Sequence, residues 1–386
     1  MKRFFTLAAL FFSATSTFAI QTRTVNCDEG QSLTLALATL IKFLPATVTV
    51  KGTCTEYVLV NGFNDLTLTG APGATLQQPS TNPPSNPIFV LSIKASRSVT
   101  VTGLAVRSLP SPANALLSSI GIGGGSNQVR LQDVTTDGSW GIFVYEASQV
   151  WLVRATVNIT SGYAAISALD KSDVHIVDGL LQRPANSNFN AGLFVGSGHV
   201  TMQGMTIRDM QQSISIGASG SVDLVNFDST AAGIDVIVDN PSGTNFNGAL
   251  VLGSSSLNLG SAKLRINNAG QPYGGDSGAV FVSNGSTLNA GPSLVVTNSR
   301  GQGVIVSNDS HADLGGSSIT GGAHGGLVVM NLSTAGVDFG NPTTITGNGT
   351  DVFCDSKSRI TGGVNIANAI TVSCNNLLPG TYENLH

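Results

Sequence analysis

The sequence predicts an all-β, single-domain parallel β-helix, a solenoid of short strands, and three observations predict it. Apolar residues alternate along short runs, as a strand with one buried face requires. The runs recur every 20-odd residues, clearest in "QVRLQDVTT", "QVWLVRATV", "DVHIVDGLL", "HVTMQGMTI" and "SVDLVNFDS". Gly, Ser, Asn and Asp collect at the breaks between runs, where turns need them.

Aligning the repeats places a first inward residue at Val129, Val150, Val174, Val200 and Val222, with steps of 21, 24, 26 and 22 residues. The frame continues through Leu257, Leu288, Ala312, Val337 and Ile360 and runs back to Val99 and Val48. Within a unit the alternation slips by one, as in Val150, Leu152, Ala155 and Val157, which reads as a bend between two strands. A further apolar run, such as "GIFV", "AAIS", "AGLFV" or "SISI", precedes each anchor. Three short strands per coil meet the needs of a stacked parallel helix, whose neighbouring coils bury one continuous core.

The ends have their own character. "MKRFFTLAALFFSATSTFAIQ" puts Lys2 and Arg3 before an apolar run and small residues before Ala19, so residues 1–19 are expected to be a cleaved signal peptide. That run is too short to cross a bilayer, which takes about 20 residues, and no membrane span is expected. Residues 20–55 are expected to form an N-terminal cap. Within it "SLTLALATLIKFL", residues 32–44, spaces Leu33, Leu37, Leu40, Ile41 and Leu44 as an amphipathic helix ended by Pro45, which would cover the first coil's open edge. Residues 56–350 then carry the coils, and 351–386 the last coil and C-terminal cap. Four cysteines in two terminal pairs suit an exported chain; local bridges Cys27–Cys54 and Cys354–Cys374 are favoured among three connectivities and would pin the ends.

Charged residues make up only 10% of the chain. Losing Lys2 and Arg3 with the leader leaves 16 basic residues against 22 acidic ones, which argues against nucleic acid as a partner. A secreted or periplasmic monomer is expected, without a cofactor; bound Ca²⁺ is left open and no metal ligands are assigned.

The repeat, with "CDEGQSLTLALATL" leading to "TVTVKGTCTEYVLV" and "LTLTGAPGATL", resembles the exported bacterial right-handed parallel β-helix proteins of the pectin-lyase-like superfamily over nearly the whole mature chain. The resemblance implies the right-handed fold and leaves activity open, because that superfamily spans lyases, hydrolases, epimerases, adhesins and tail spikes. The family's catalytic motifs are missing. The nearest match to the "WIDH"-like strand of pectate lyases is Trp151-Leu152-Val153-Arg154, without its Asp and His. The adjacent aspartates, Gly-His-Gly turn and Arg-Ile-Lys segment of polygalacturonase-like hydrolases have no counterpart.

Candidate chemistry therefore comes from columns, since equivalent residues on adjacent coils lie about 4.7–4.9 Å apart. One residue after each anchor the outward column reads Arg130, Trp151, His175, Thr201, Asp223; four after it the bend column reads Asp133, Arg154, Asp178, Gly204, Asn226. A lyase acting on a uronic acid polymer needs a cation for the sugar carboxylate, which Arg154 or Arg130 would supply, and a base, which His175 would supply. Asp133 and Asp178 would flank the arginine. Trp151, Trp140 and Tyr145 fall in one coil, with Tyr163 after them, and would form a platform for sugar rings. Glu146 beside Asp170 is a second-choice acid pair. The bland alternative is a ladder of ordinary cross-strand charge pairs.

Two functions follow: a protein that binds or cleaves an extracellular or cell-wall polysaccharide, as a lyase or glycoside hydrolase if it is an enzyme, or a non-enzymatic structural or adhesive β-helix. A regular threonine face is not expected, because the Thr-x-Thr pairs of "TVTV" and "TLTG" do not recur in the aligned frame.

Overall fold

A computed structural model describes residues 20–79, 89–109, 118–160, 162–183, 191–228, 231, 233–240, 247–271, 277–337, 341, 343–362, 364–366 and 371–372. The predicted leader and Cys374 lie outside them. Strands stack in parallel, each pairing with its equivalent on the neighbouring coil, so the chain is a β-solenoid. A coil has three strand positions, called here the first, second and third faces. The first two are continuous through a bend; the third forms a separate sheet, thirteen-stranded among the described residues.

The anchors from Val129 to Val222 pair in register on the first face, and the frame holds through Leu257, Leu288 and Ala312. Ala312 then pairs with Ala335, two residues before the expected Val337, and Ala335 with Ile360. At the front, Val99 pairs with Leu66 and Leu66 with Ala46, so Val48 is also displaced by two and a whole coil at Leu66 had gone uncounted. A one-residue slip exchanges the faces of a strand, but a two-residue slip keeps every apolar side chain inward and leaves no trace in the pattern.

Left-handed backbone explains the phase slip. Asp133, Arg154 and Asp178 have φ of 52°, 51° and 53°, and Gly103 and Gly204 take the same column with φ of 63° and 66°. One such residue re-aims the chain from the first face to the second, and Asp and Gly adopt it more readily than most residues. Inside, Val150, Leu152, Ala155 and Val157 are fully buried, and the third face adds Leu91, Ile120, Ile142, Ile166 and Leu193 in one column.

A buried serine ladder runs beside this core. The Ser255 amide donates to Ser286 Oγ at 3.3 Å, Ser286 to Ser310 at 3.2 Å, Ser310 to Ser333 at 3.2 Å and Ser333 to Ser358 at 3.3 Å. Each hydroxyl satisfies a turn amide that would otherwise be buried without a partner.

The N-terminal helix is shorter than the predicted span 32–44. It covers Leu33–Ala38, with Ser32 Oγ accepting from the Leu35 amide and Glu56 accepting from the amides of Leu33 and Thr34. Leu33, Leu37 and Leu40 are buried, whereas Ile41 and Phe43 are exposed. The Gln21 side chain meets both backbone groups of Ile41, accepting from its amide at 2.8 Å, which takes that amide out of any helical ladder, and donating to its carbonyl at 2.9 Å; the carbonyl also accepts from the Leu44 amide in a single turn. Gln21–Asn26 pairs in parallel with Ala46–Lys51, so coil stacking already runs through the segment expected to be a cap. Cys27 and Cys54 form a disulfide, and Cys354 is disulfide-bonded too. Among the described residues no helix is long and apolar enough to cross a membrane.

Candidate functional site

The first face carries the predicted outward column intact. Arg130 pairs with Trp151, Trp151 with His175, His175 with Thr201 and Thr201 with Asp223. The Trp151 indole stacks on the His175 ring at 4.3 Å between centroids, and Phe227 leans against both at 5.8 and 6.1 Å. Phe227 is held there by Gln203, fully buried, whose Oε1 accepts from the amides of Phe227 and Asp228 at 2.7 and 2.8 Å while Nε2 donates to the Asp228 carbonyl.

Beside the indole lies an open recess of about 320 Å³, lined by Asp65, Ser98, Thr100, Gln128, Arg130 and Trp151. Arg130 donates through Nε to Gln132 at 3.1 Å and has no ion-pair partner among the described residues. Threonines lead into this recess. Thr22, Thr47, Thr67 and Thr100 form one column and Thr24, Thr49, Thr69 and Thr102 another. The Thr-x-Thr pairs therefore do recur in register, contrary to expectation, and the uncounted Leu66 coil is what concealed them.

Arg154 is spent within the fold. Its guanidinium meets both oxygens of Asp133, and this hydrogen bond holds the Asp133 carboxyl below the usual range while raising the arginine. Asp178 lies on the next coil, close enough to favour the Arg154 charge. The bend trio is thus brought together as predicted, but as an internal ion pair.

His175 Nε2 sits 3.1 Å from Asp173, which also meets His199 Nδ1 at 2.9 Å; His199 Nε2 in turn reaches Asp223 at 3.0 Å. Hydrogen bonds from His175 and then His199 hold the Asp173 carboxyl far below its ordinary range. The hydrogen bond to Asp173, helped by Asp223 and opposed by desolvation, pushes His199 up to about 9. Both His199 nitrogens can donate only in the imidazolium, so this ring is a fixed cation at neutral pH. Asp223 also accepts from Asn258 at 2.6 Å, which extends the network one coil further.

The other predicted residues lie elsewhere. Trp140, in Trp140–Val144, and Tyr145 belong to the third face with Tyr163, whereas Trp151 is on the first, so the four aromatics are not one platform. Glu146 and Asp170 occupy left-handed turn positions, and Glu146 Oε2 accepts from the Gly124 amide at 2.7 Å.

Several residues were not singled out from the sequence. Asp65 was lost with the Leu66 coil. Asp173 and His199 stand one before their anchors, in a column the alignment already contained. Gln203 and Phe227 gave no signal, because their meeting depends on the path of the chain after Leu224.

No protein-family model matches this chain, and no curated protein matches its sequence.

Proposed function

We propose that this chain is an exported right-handed β-helix protein of the pectin-lyase-like type that binds a carboxylate-bearing extracellular or cell-wall polysaccharide at the Trp151–Arg130 recess. The observation that carries this reading is a guanidinium without an ion-pair partner among the described residues, beside an indole, in one open recess. Arg130 would meet a sugar carboxylate, Trp151 would lie against a ring, and Gln128, Ser98 and Thr100 would serve the hydroxyls. The threonine columns would support the polymer as it leaves the recess.

Binding is favoured over cleavage. Arg154 is engaged by Asp133, His199 is already protonated at neutral pH, and His175 lies against the Trp151 ring with Nε2 turned to Asp173. This arrangement favours a non-enzymatic protein of the cell surface or matrix over a lyase.

Affinity electrophoresis on polygalacturonate and alginate tests the reading. Arg130→Ala and Trp151→Ala should each weaken retention at least about tenfold, roughly 1.4 kcal/mol, with neither unsaturated products nor new reducing ends formed. Wild-type protein that ignores every acidic glycan would sink the proposal, and release of unsaturated products would replace binding with lyase activity. Export is tested by N-terminal sequencing of secreted protein, expected to begin at Ile20.

A further inference from the structure

The outward side of the third face has a different chemistry. Its register column reads Ser92, Gly121, Phe143, Ser167, Phe194 and Ser215, without a charge. Two pairs of rings tile this surface. Phe89 and Tyr145 lie over Gly121 and Gly123, where any side chain would collide with the rings, and their planes differ by only 20° at a centroid distance of 5.9 Å. Trp140 and Tyr163 repeat the arrangement at 29° and 5.9 Å, with the indole against Gly162. Phe143 joins the pairs, 5.6 Å from Tyr145 and 6.1 Å from Trp140, and Phe194 braces Tyr163 edge-on at 5.0 Å.

A ring pressed against glycine backbone turns its other face outward, and glycines on sheets are commonly covered by aromatics in this way. Phe89 is nearly buried, but Trp140, Phe143, Tyr145 and Phe194 are half-buried and Tyr163 is 38% exposed. The surface therefore offers rigid, flat apolar area at low entropic cost, while Ser92, Ser167 and Ser215 of the column are themselves buried. A polyanion finds no cation in this column, the nearest being Lys94 at the end of its strand in register with Gly123, while a neutral pyranose presents complementary apolar C–H faces to the rings.

We infer that the third face is a second glycan site, taking a neutral polysaccharide across the Trp140–Tyr163 and Phe89–Tyr145 pairs. It does not depend on the Trp151 reading, because the two surfaces belong to different sheets.

The test is co-sedimentation of the full chain with insoluble chitin, cellulose and xylan, beside affinity electrophoresis on polygalacturonate. Trp140→Ala and the more exposed Tyr163→Ala should each reduce retention on a neutral polymer at least about tenfold and leave polygalacturonate binding unchanged; Trp151→Ala should do the reverse. Circular dichroism and melting curves identify any variant that fails to fold, in which case Tyr163→Leu replaces it. No wild-type binding to any of the three polymers would overturn the inference, as would binding that survives both substitutions. Loss of a wild-type dimer in light scattering, with glycan binding unaltered, would also overturn it and make the face a protein interface.

Discussion

The Arg154 guanidinium grips the Asp133 carboxylate one coil away, Nε to Oδ1 at 2.6 Å and Nη2 to Oδ2 at 2.7 Å, and so ties two left-handed bends together. Both side chains are about half exposed, a setting in which such pairs contribute roughly 0–1 kcal/mol. The pair matters more for what it occupies, since the same planar fork would be needed to hold a substrate carboxylate.

Backbone strain at this bend gives the first prediction. Arg154 has a φ of 51°, a region that costs a residue with a Cβ about 1–2 kcal/mol. Arg154→Gly and Arg154→Ala lose the same ion pair, yet only glycine relieves the strain. Urea denaturation should therefore find the glycine variant more stable by about 1 kcal/mol, part of the relief being offset by its freer unfolded chain. Equal stability, or the opposite order, would contradict the role assigned to this bend. Polygalacturonate binding should be unaltered in both variants.

The imidazolium of His199 makes stability depend on pH. Its value is about 9 in the folded chain, against roughly 6.5 when unfolded. A raised value means that the folded state holds the proton more tightly, so the contribution is complete below about pH 6.5 and fades as pH rises through 9. Asp173 runs the other way: its lowered value stabilises above about pH 3.9 and is lost as acid protonates it. The melting-temperature gap between wild type and His199→Gln should be widest near pH 5–6 and close by about pH 10. A gap that widens with alkali would rule out a charged His199.

These particulars show where the sequence was legible and where it was not. Val150 and Val174 could be matched because a fully buried column tolerates only apolar residues and its alternation survives changes in loop length. The displacement at Ala46 and Ala335 was invisible, since a shift of two preserves facing. Trp140 and Trp151 looked like neighbours because they are close in the chain, but a solenoid turns a corner between them and gives each its own sheet. Arg130, Trp151 and His175 were found by column, while Asp65 and Phe227 needed the coil count and the loop path that alternation does not encode.

The serine ladder has a gap that should resist repair. Gly198 and Gly220 occupy the turn column that Ser148 and Ser172 hold on earlier coils. A Cβ on Gly198 would stand 2.7 Å from the Ala168 carbonyl oxygen and 3.2 Å from that of Ser172, both rigid backbone. Gly198→Ser should therefore destabilise by about 1–3 kcal/mol through overpacking although it restores the repeat. Ser286→Ala should cost about 1–3 kcal/mol for the opposite reason, leaving the buried Ser255 amide unpaired. Equilibrium denaturation of both variants checks the pair of claims; a stabilised Gly198→Ser would show that the turn has room.

Gln203 offers the sharpest separation of scaffold from site. It sits in a column with Gln132, Val153 and Val177, and its amide oxygen and nitrogen both bond the backbone, the oxygen to the amides of Phe227 and Asp228 and the nitrogen to the Asp228 carbonyl. Gln203→Leu keeps the volume but strands two amides and a carbonyl, which should cost about 1–3 kcal/mol and release Phe227 from the Trp151–His175 stack. Gln203→Glu retains an acceptor for the amides and loses the donor to Asp228, so it should fall between. In a Trp140→Phe background, where Trp151 is the remaining indole, acrylamide quenching should rise in the order wild type, Gln203→Glu, Gln203→Leu. Polygalacturonate affinity should fall in the same order if Phe227 steadies the indole that meets the sugar. Quenching that rises while affinity stays constant would keep Gln203 as a structural clamp and remove Phe227 from the binding surface.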